Sequence, residues 1–154
     1  MSFPVAALLG PRGVIALPGY FIADTPWAGT KSNNQWSTLT QGSTQLGGGR
    51  LATDVSASGD WFREDHYFAT GTFKLALVYR KEPSQGIFTI TGVSGTQSID
   101  AYAALEALNT YEEVTGIAVT AGLKTVDVLI NTKNASSIAF SGGIQSMAWV
   151  RTGA

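Results

Sequence analysis

The chain has 154 residues, of which 44% are hydrophobic and only 14% charged, with ten basic and eleven acidic side chains for a formal net charge of −1. That length accommodates one domain with a two-sheet core. The lack of cysteine excludes disulfides and thiol chemistry, and the lack of a basic stripe sets nucleic acid aside as a partner. Residues 1–50 come first in chain order and hold four of the five prolines (Pro4, Pro11, Pro18, Pro26), followed by a polar, Gly-rich stretch. Proline removes ladder donors and glycine adds backbone freedom, so this segment reads as a largely irregular N-terminal arm. Within it, residues 13–22 form one short extended element interrupted at Pro18-Gly19. Residues 40–50 read as a loop or linker, with its most flexible point at 47–49. The segment Leu9-Gly10-Pro11-Arg12-Gly13 is a single collagen-type triplet and is read as a turn, because a triple helix needs glycine at every third position.

Residues 51–154 read as an all-β domain. Its first strands are expected at 51–55 and 60–69, with Phe62, Tyr67 and Phe68 reaching the core. Across 72–81, Phe73, Leu75, Leu77 and Tyr79 alternate with Lys74, Ala76, Val78 and Arg80, a period of two that lays four large apolar groups on one face of a sheet. The polar turn 81–86 is expected to join this strand to 87–91 as a hairpin. A second turn follows at 92–95. Residues 101–111 (AYAALEALNTY) favour helix by propensity, so a crossing segment with a helical turn is expected there. Strands follow at 114–120, 125–131 and 145–151, with a loop at 132–137 and a short strand at 138–140. Short strands at even spacing, with one long crossing near 96–113, predict an antiparallel two-sheet jelly-roll sandwich. No stretch is apolar enough to span a membrane, and Met1-Ser2-Phe3-Pro4 lacks a basic leader, so synthesis in the cytoplasm without a signal peptide is expected.

Chemistry-bearing residues are sparse. The only histidine, His66, has no nucleophile motif around it and reads as an ordinary surface or interface side chain. One histidine and no cysteine also argue against a zinc site. Asp60, Glu64 and Asp65 read as a solvated strand end or as partners for Arg63 or Arg80 rather than a glycosidase pair. A calcium site at Asp100 or Asp127 lacks the usual acidic loop pattern. No enzyme activity and no cofactor are expected. Of the tryptophans, Trp149 reads as core or intersubunit, and either Trp61 or Phe62 must point outward. Trp27 and Trp36 read as loop anchors on a neighbour. Each could instead be a flat platform for a sugar ring, whose C–H groups suit an aromatic face.

Several blocks of the domain share one pattern. Gly71, Phe73, Leu75, Tyr79, Arg80 and Lys81 form the first, Gly86 and Ile87 the second, and Asp100 and Tyr102 the third. Lys133, Asn134 and Ser136 or Ser137 form the fourth, with Thr132 where a glycine is usual. In this order, with a closing strand IQSMAWVRT, the last ninety or so residues resemble a β-sandwich domain found near the C-terminus of surface proteins of tailed bacteriophages. The pattern is also similar to jelly-roll carbohydrate-binding modules. The phage resemblance implies a virion surface protein, a homotrimeric capsid-decoration or head-fibre protein contacting a major capsid or other virion protein through residues 1–50. Phe3, Tyr20, Phe21, Trp27 and Trp36 are the expected particle or subunit contacts. Lys81, Gln85, Lys133 and Asn134 mark outward loops that could meet a ligand. The alternative expectation is a tail-tip module that recognises a host surface glycan.

Overall fold

Strict alternation of large apolar with polar or small side chains drives this chain into strands, and the strands stack as two sheets. A computed structural model describes residues 9–10, 13–14, 21–24, 30–32, 37–39, 50–53 and 58–154. Its strands are β1 (Leu9–Gly10), β2 (Gly13–Val14), β3 (Phe21–Asp24), β4 (Thr30–Lys31), β5 (Ser37–Leu39), β6 (Arg50–Thr53) and β7 (Asp60–Phe68). They continue with β8 (Gly71–Lys81), β9 (Ile87–Thr91), β10 (Gln97–Asp100), β11 (Ala107–Val119), β12 (Gly122–Thr132) and β13 (Gly142–Gly153). One sheet has the order β10-β9-β12-β7-β4, the other β11-β8-β13-β6-β5, and β3 adds to β13. All pairings between strands are antiparallel. From β7 onward the chain changes sheet at every connection but β9–β10, which is the wrapping of a jelly roll.

The core lies between the sheets. Phe62, Phe68, Phe88, Ile90, Val126, Val128 and Ile130 face inward from the five-stranded sheet. Phe73, Leu75, Leu77, Tyr79, Met147 and Trp149 face them from the other. Two aromatic clusters tie the sheets together. At one end Phe68 meets Phe73 and Trp149 edge-to-face, with centroids 5.4 and 5.5 Å apart; at the other Tyr79 meets Phe88 at 5.9 Å. The Tyr79 hydroxyl reaches out of the core to donate to Glu112 Oε2 at 2.5 Å. Burial, and then that bond, push its pKa well above the usual phenol range.

Several expectations are corrected. The 81–86 turn does not make a hairpin: β8 and β9 lie in different sheets, and β9 pairs with β10 and β12 instead. The helix-favouring stretch 101–111 has no helical turn. It crosses at 101–106, and β11 then begins at Ala107, because pairing along β8 overrides the propensity of Ala and Leu. Two register shifts in that pairing, with Asn109 at φ 54°, absorb the mismatch. β10 had no sequence signal beyond Ile99, and residues 138–140 form no strand. Ile144 faces the core together with Met147 and Trp149 because a bulge between Ile144 and Ser146 resets the alternation. Trp149 is therefore core within one copy. Parts of the arm are built into the sandwich: β3 pairs with β13, β4 with β7, and β5 with β6. β1 pairs with β2, and Pro11 and Arg12 of the expected turn lie outside the described residues.

Candidate functional site

The two ends of the sandwich differ. The connections 69–70, 92–96 and 120–121 at one end are short, whereas the loops 82–86, 101–106 and 133–141 gather at the other. Binding residues concentrate on such loops when a rigid scaffold positions them. Here, however, the loops mostly satisfy one another. Asp100 Oδ1 accepts from Tyr102 N at 2.9 Å, and its Oδ2 accepts from Asn134 Nδ2 at 2.7 Å. Asn134 Oδ1 in turn accepts from Ser136 N at 3.0 Å, closing an Asx turn. Ser137 Oγ donates to the carbonyls of Gln85 at 2.8 Å and Ala139 at 2.9 Å, and Ser141 Oγ donates to Ser84 O at 2.7 Å. Glu82 pairs with Arg80 and accepts from Ser84 Oγ at 2.9 Å and Gln85 Nε2 at 2.6 Å. Arg80 also reaches Glu106 at 2.7 Å. Gly86 permits the tight closure, since a Cβ there would sit 2.4 Å from Ile130 Cγ2.

The four loop candidates therefore come together at one end but are not equivalent. Gln85 is corrected: it is 2% exposed and braces the loops from inside. Asn134 is a half-buried stitch between two loops. Lys81 lies 5.7 Å over the Tyr79 ring. Lys133 is exposed, donates to Ser137 O at 2.8 Å and lies 5.3 Å over Phe140. Arg80, Asp100, Tyr102, Asn134 and Ser137, drawn from three of the four motif blocks, all take part in these loop contacts. Of the arm candidates, Phe3, Tyr20, Trp27 and Trp36 lie outside the described residues. Phe21 opens β3 at the register position opposite Val150.

The outward face of the five-stranded sheet is arranged differently. Alternation along β7 turns Asp60, Phe62, Glu64, His66 and Phe68 inward and Trp61, Arg63, Asp65 and Tyr67 outward. This corrects three readings. Tyr67 is outside the core. His66, 7% exposed, is no surface side chain and sits 3.3 Å from the buried Glu64 carboxylate. Asp60 and Glu64 are not a solvated strand end. The ladder with β12 places Leu129 beside Trp61, Asp127 beside Arg63, Thr125 beside Asp65 and Leu123 beside Tyr67. Tyr67 is 49% and Leu123 52% exposed, which leaves an open apolar pair at one end of the row. At the other end the Arg63 guanidinium lies 4.6 Å over the half-buried Trp61 ring and pairs with Asp127. The hydrogen bond and charge of Asp127 raise the pKa of Arg63 further, so it stays cationic. Thr125 Oγ1 donates to Asp65 Oδ1 at 2.7 Å, and Thr89 Oγ1 donates to Asn131 Oδ1 at 3.1 Å. Strict parity counted from Phe62 would have placed Tyr67 on this face. The cross-strand partners needed the register of β12. Among the described residues, no group of three or more His, Asp or Glu side chains gathers around Asp100 or Asp127.

No protein-family model matches this chain, and no curated protein matches its sequence. Solved structures match its fold. The CBM36-1 domain of a multidomain xylanase from the hindgut metagenome of Trinervitermes trinervoides is 14% identical with a TM-score of 0.60, over 88% of this chain and 100% of that one. A carbohydrate-binding module CBM36, solved with calcium and xylotriose, is 10% identical with a TM-score of 0.57, over 84% of this chain and 98% of that one. A Paenibacillus xanthan lyase is 18% identical with a TM-score of 0.59, over 82% of this chain, which spans only 13% of the lyase. At such identities the likeness establishes the antiparallel jelly-roll sandwich and leaves the site to be argued from its residues.

Proposed function

We propose that this chain is a non-catalytic glycan-binding module whose contact surface is the outward face of the five-stranded sheet. The observation that carries this reading is the aromatic row on β7, where Tyr67 stands half-exposed beside Leu123 and Trp61 lies further along the same face, with hydroxyl, amide and carboxylate groups nearby. A sugar ring offers apolar C–H groups to an aromatic face and hydroxyls to flanking polar groups, and this face carries both. Fold neighbours that include carbohydrate-binding modules support the same reading. Glycan-array binding by the purified chain, followed by calorimetry of Tyr67→Ala, tests it. Binding should weaken about tenfold or more, for the loss of one stacked ring, while the unfolding midpoint stays put. Unchanged binding in the variant would refute the site.

A second reading is a homotrimeric virion surface protein that docks on a capsid or other particle protein through residues 1–50. It is supported by the hydrogen bonds that join Asp100 of the third phage-like block to Asn134 of the fourth, which in turn holds Ser137 N. Co-sedimentation with undecorated capsids tests it; a monomer that stays in the supernatant would rule it out. The two readings are compatible, since a virion protein can carry a glycan-binding face.

A further inference from the structure

The outward row of β7 has a length and a charge as well as two rings. Tyr67 lies six positions along β7 from Trp61, a distance of about 20 Å at the rise of a β-strand, or about four pyranose units of an extended chain. Between the rings stand one arginine and one aspartate, faced by a second aspartate and a threonine, so the row carries a net charge of −1. Its single cation is already committed: Arg63 pairs with Asp127 and lies over the indole of Trp61. Asp65 Oδ1 accepts from Thr125 Oγ1 on the neighbouring strand. Carboxylates accept hydrogen bonds from sugar hydroxyls, and they repel a second anion. At the Trp61 end a ligand meets the guanidinium over the indole, a flat and weakly hydrated group suited to stacking.

We infer that this face selects an uncharged, extended polysaccharide that runs along β7 over both rings, and that Asp65 and Asp127 reject chains bearing uronate or sulfate groups. The inference rests on the glycan-binding reading above and adds ligand class and direction to it. The full chain is titrated calorimetrically at low salt with a neutral β-1,4-linked series from disaccharide to hexasaccharide, and with an oligouronate series of the same lengths. Affinity in the neutral series should rise to the tetrasaccharide and then level. Uronates of equal length should bind about tenfold more weakly, a gap that narrows with added salt as charges are screened. The double variant Asp65→Asn, Asp127→Asn takes the row from −1 to +1, with Arg63 freed of its partner, so the gap should close or reverse. Uronates binding as tightly as neutral chains would overturn the charge selection while glycan binding stands. Affinity that is flat beyond the disaccharide would overturn the path along β7. An array on which only branched or anionic glycans bind sinks this inference and leaves the platform reading intact. An array on which nothing binds sinks both.

Discussion

Replacing Asn134 with alanine tests how the loop end holds its shape. The side chain makes two bonds: Nδ2 to Asp100 Oδ2 at 2.7 Å, and Oδ1 from Ser136 N at 3.0 Å. The first joins segments 34 residues apart and ends on a carboxylate; the second is local. A bond to a charged group contributes about 1.5–3 kcal/mol and a neutral one about 0.5–1.5 kcal/mol. Asn134 and Asp100 are only half-buried, so water recovers part of each. The expected cost is therefore about 2 kcal/mol, near the low end of the sum. For a domain of this size that lowers the unfolding midpoint by about 4–8 °C. Urea unfolding of the parent, Asn134→Ala, Asp100→Ala and the double variant gives the coupling between the two side chains, expected at about 1–2 kcal/mol. Asp100→Ala alone should cost more than its share of the pair, because it also strips the acceptor from Tyr102 N. A coupling within about 0.3 kcal/mol of zero would refute the stitch. The loops would then be held by backbone bonds such as Gly86 N to Ser141 O at 2.8 Å and Ile138 N to Pro83 O at 3.0 Å.

Other outcomes follow from the same structure. Gly92→Ala should destabilise the chain by more than about 3 kcal/mol, measured by chemical unfolding: φ there is +92°, and the new Cβ would lie 1.7 Å from the carbonyl oxygen of Thr125. Trp149→Ala should cost about 3–5 kcal/mol in the same assay, since it empties the aromatic cluster with Phe68 that joins the sheets. Hydrogen bonds from Lys74, then from Tyr111, hold the Glu113 carboxylate below its usual pKa. A depressed carboxylate adds stability above its unfolded pKa and loses it as pH falls through the folded one. Glu113→Gln should therefore flatten the acid side of the stability–pH curve, read by unfolding midpoints below about pH 5.

Much of the architecture was legible in the sequence. The alternation over Phe73, Leu75, Leu77 and Tyr79 marks an inward face that the structure keeps, and the turns around 92–95 and 132–137 separate strands as expected. What escaped was long-range. β10 carries one buried apolar residue, so only its pairing with β9 reveals it. β11 looks helical until β8 offers it a ladder. Whether residues 81–86 form a hairpin or a crossing depends on which sheet receives Phe88, and the local chemistry of a polar turn is the same for both. The site followed a similar rule. The parity of β7 was readable from Phe62 and Phe68 alone. The pairing of Arg63 with Asp127, 64 residues away, required the register of β12.

The small strands contributed by the first fifty residues cap flanks that the larger strands would otherwise leave bare. β3 covers Met147 to Val150, and β4 covers Phe62 and Arg63. A polypeptide begun at residue 51 would expose peptide groups on both sheets at once, and unpaired ladders of this kind recruit other chains. β3 and β4 thus occupy the ladder positions on β13 and β7 that a foreign strand would otherwise be free to take.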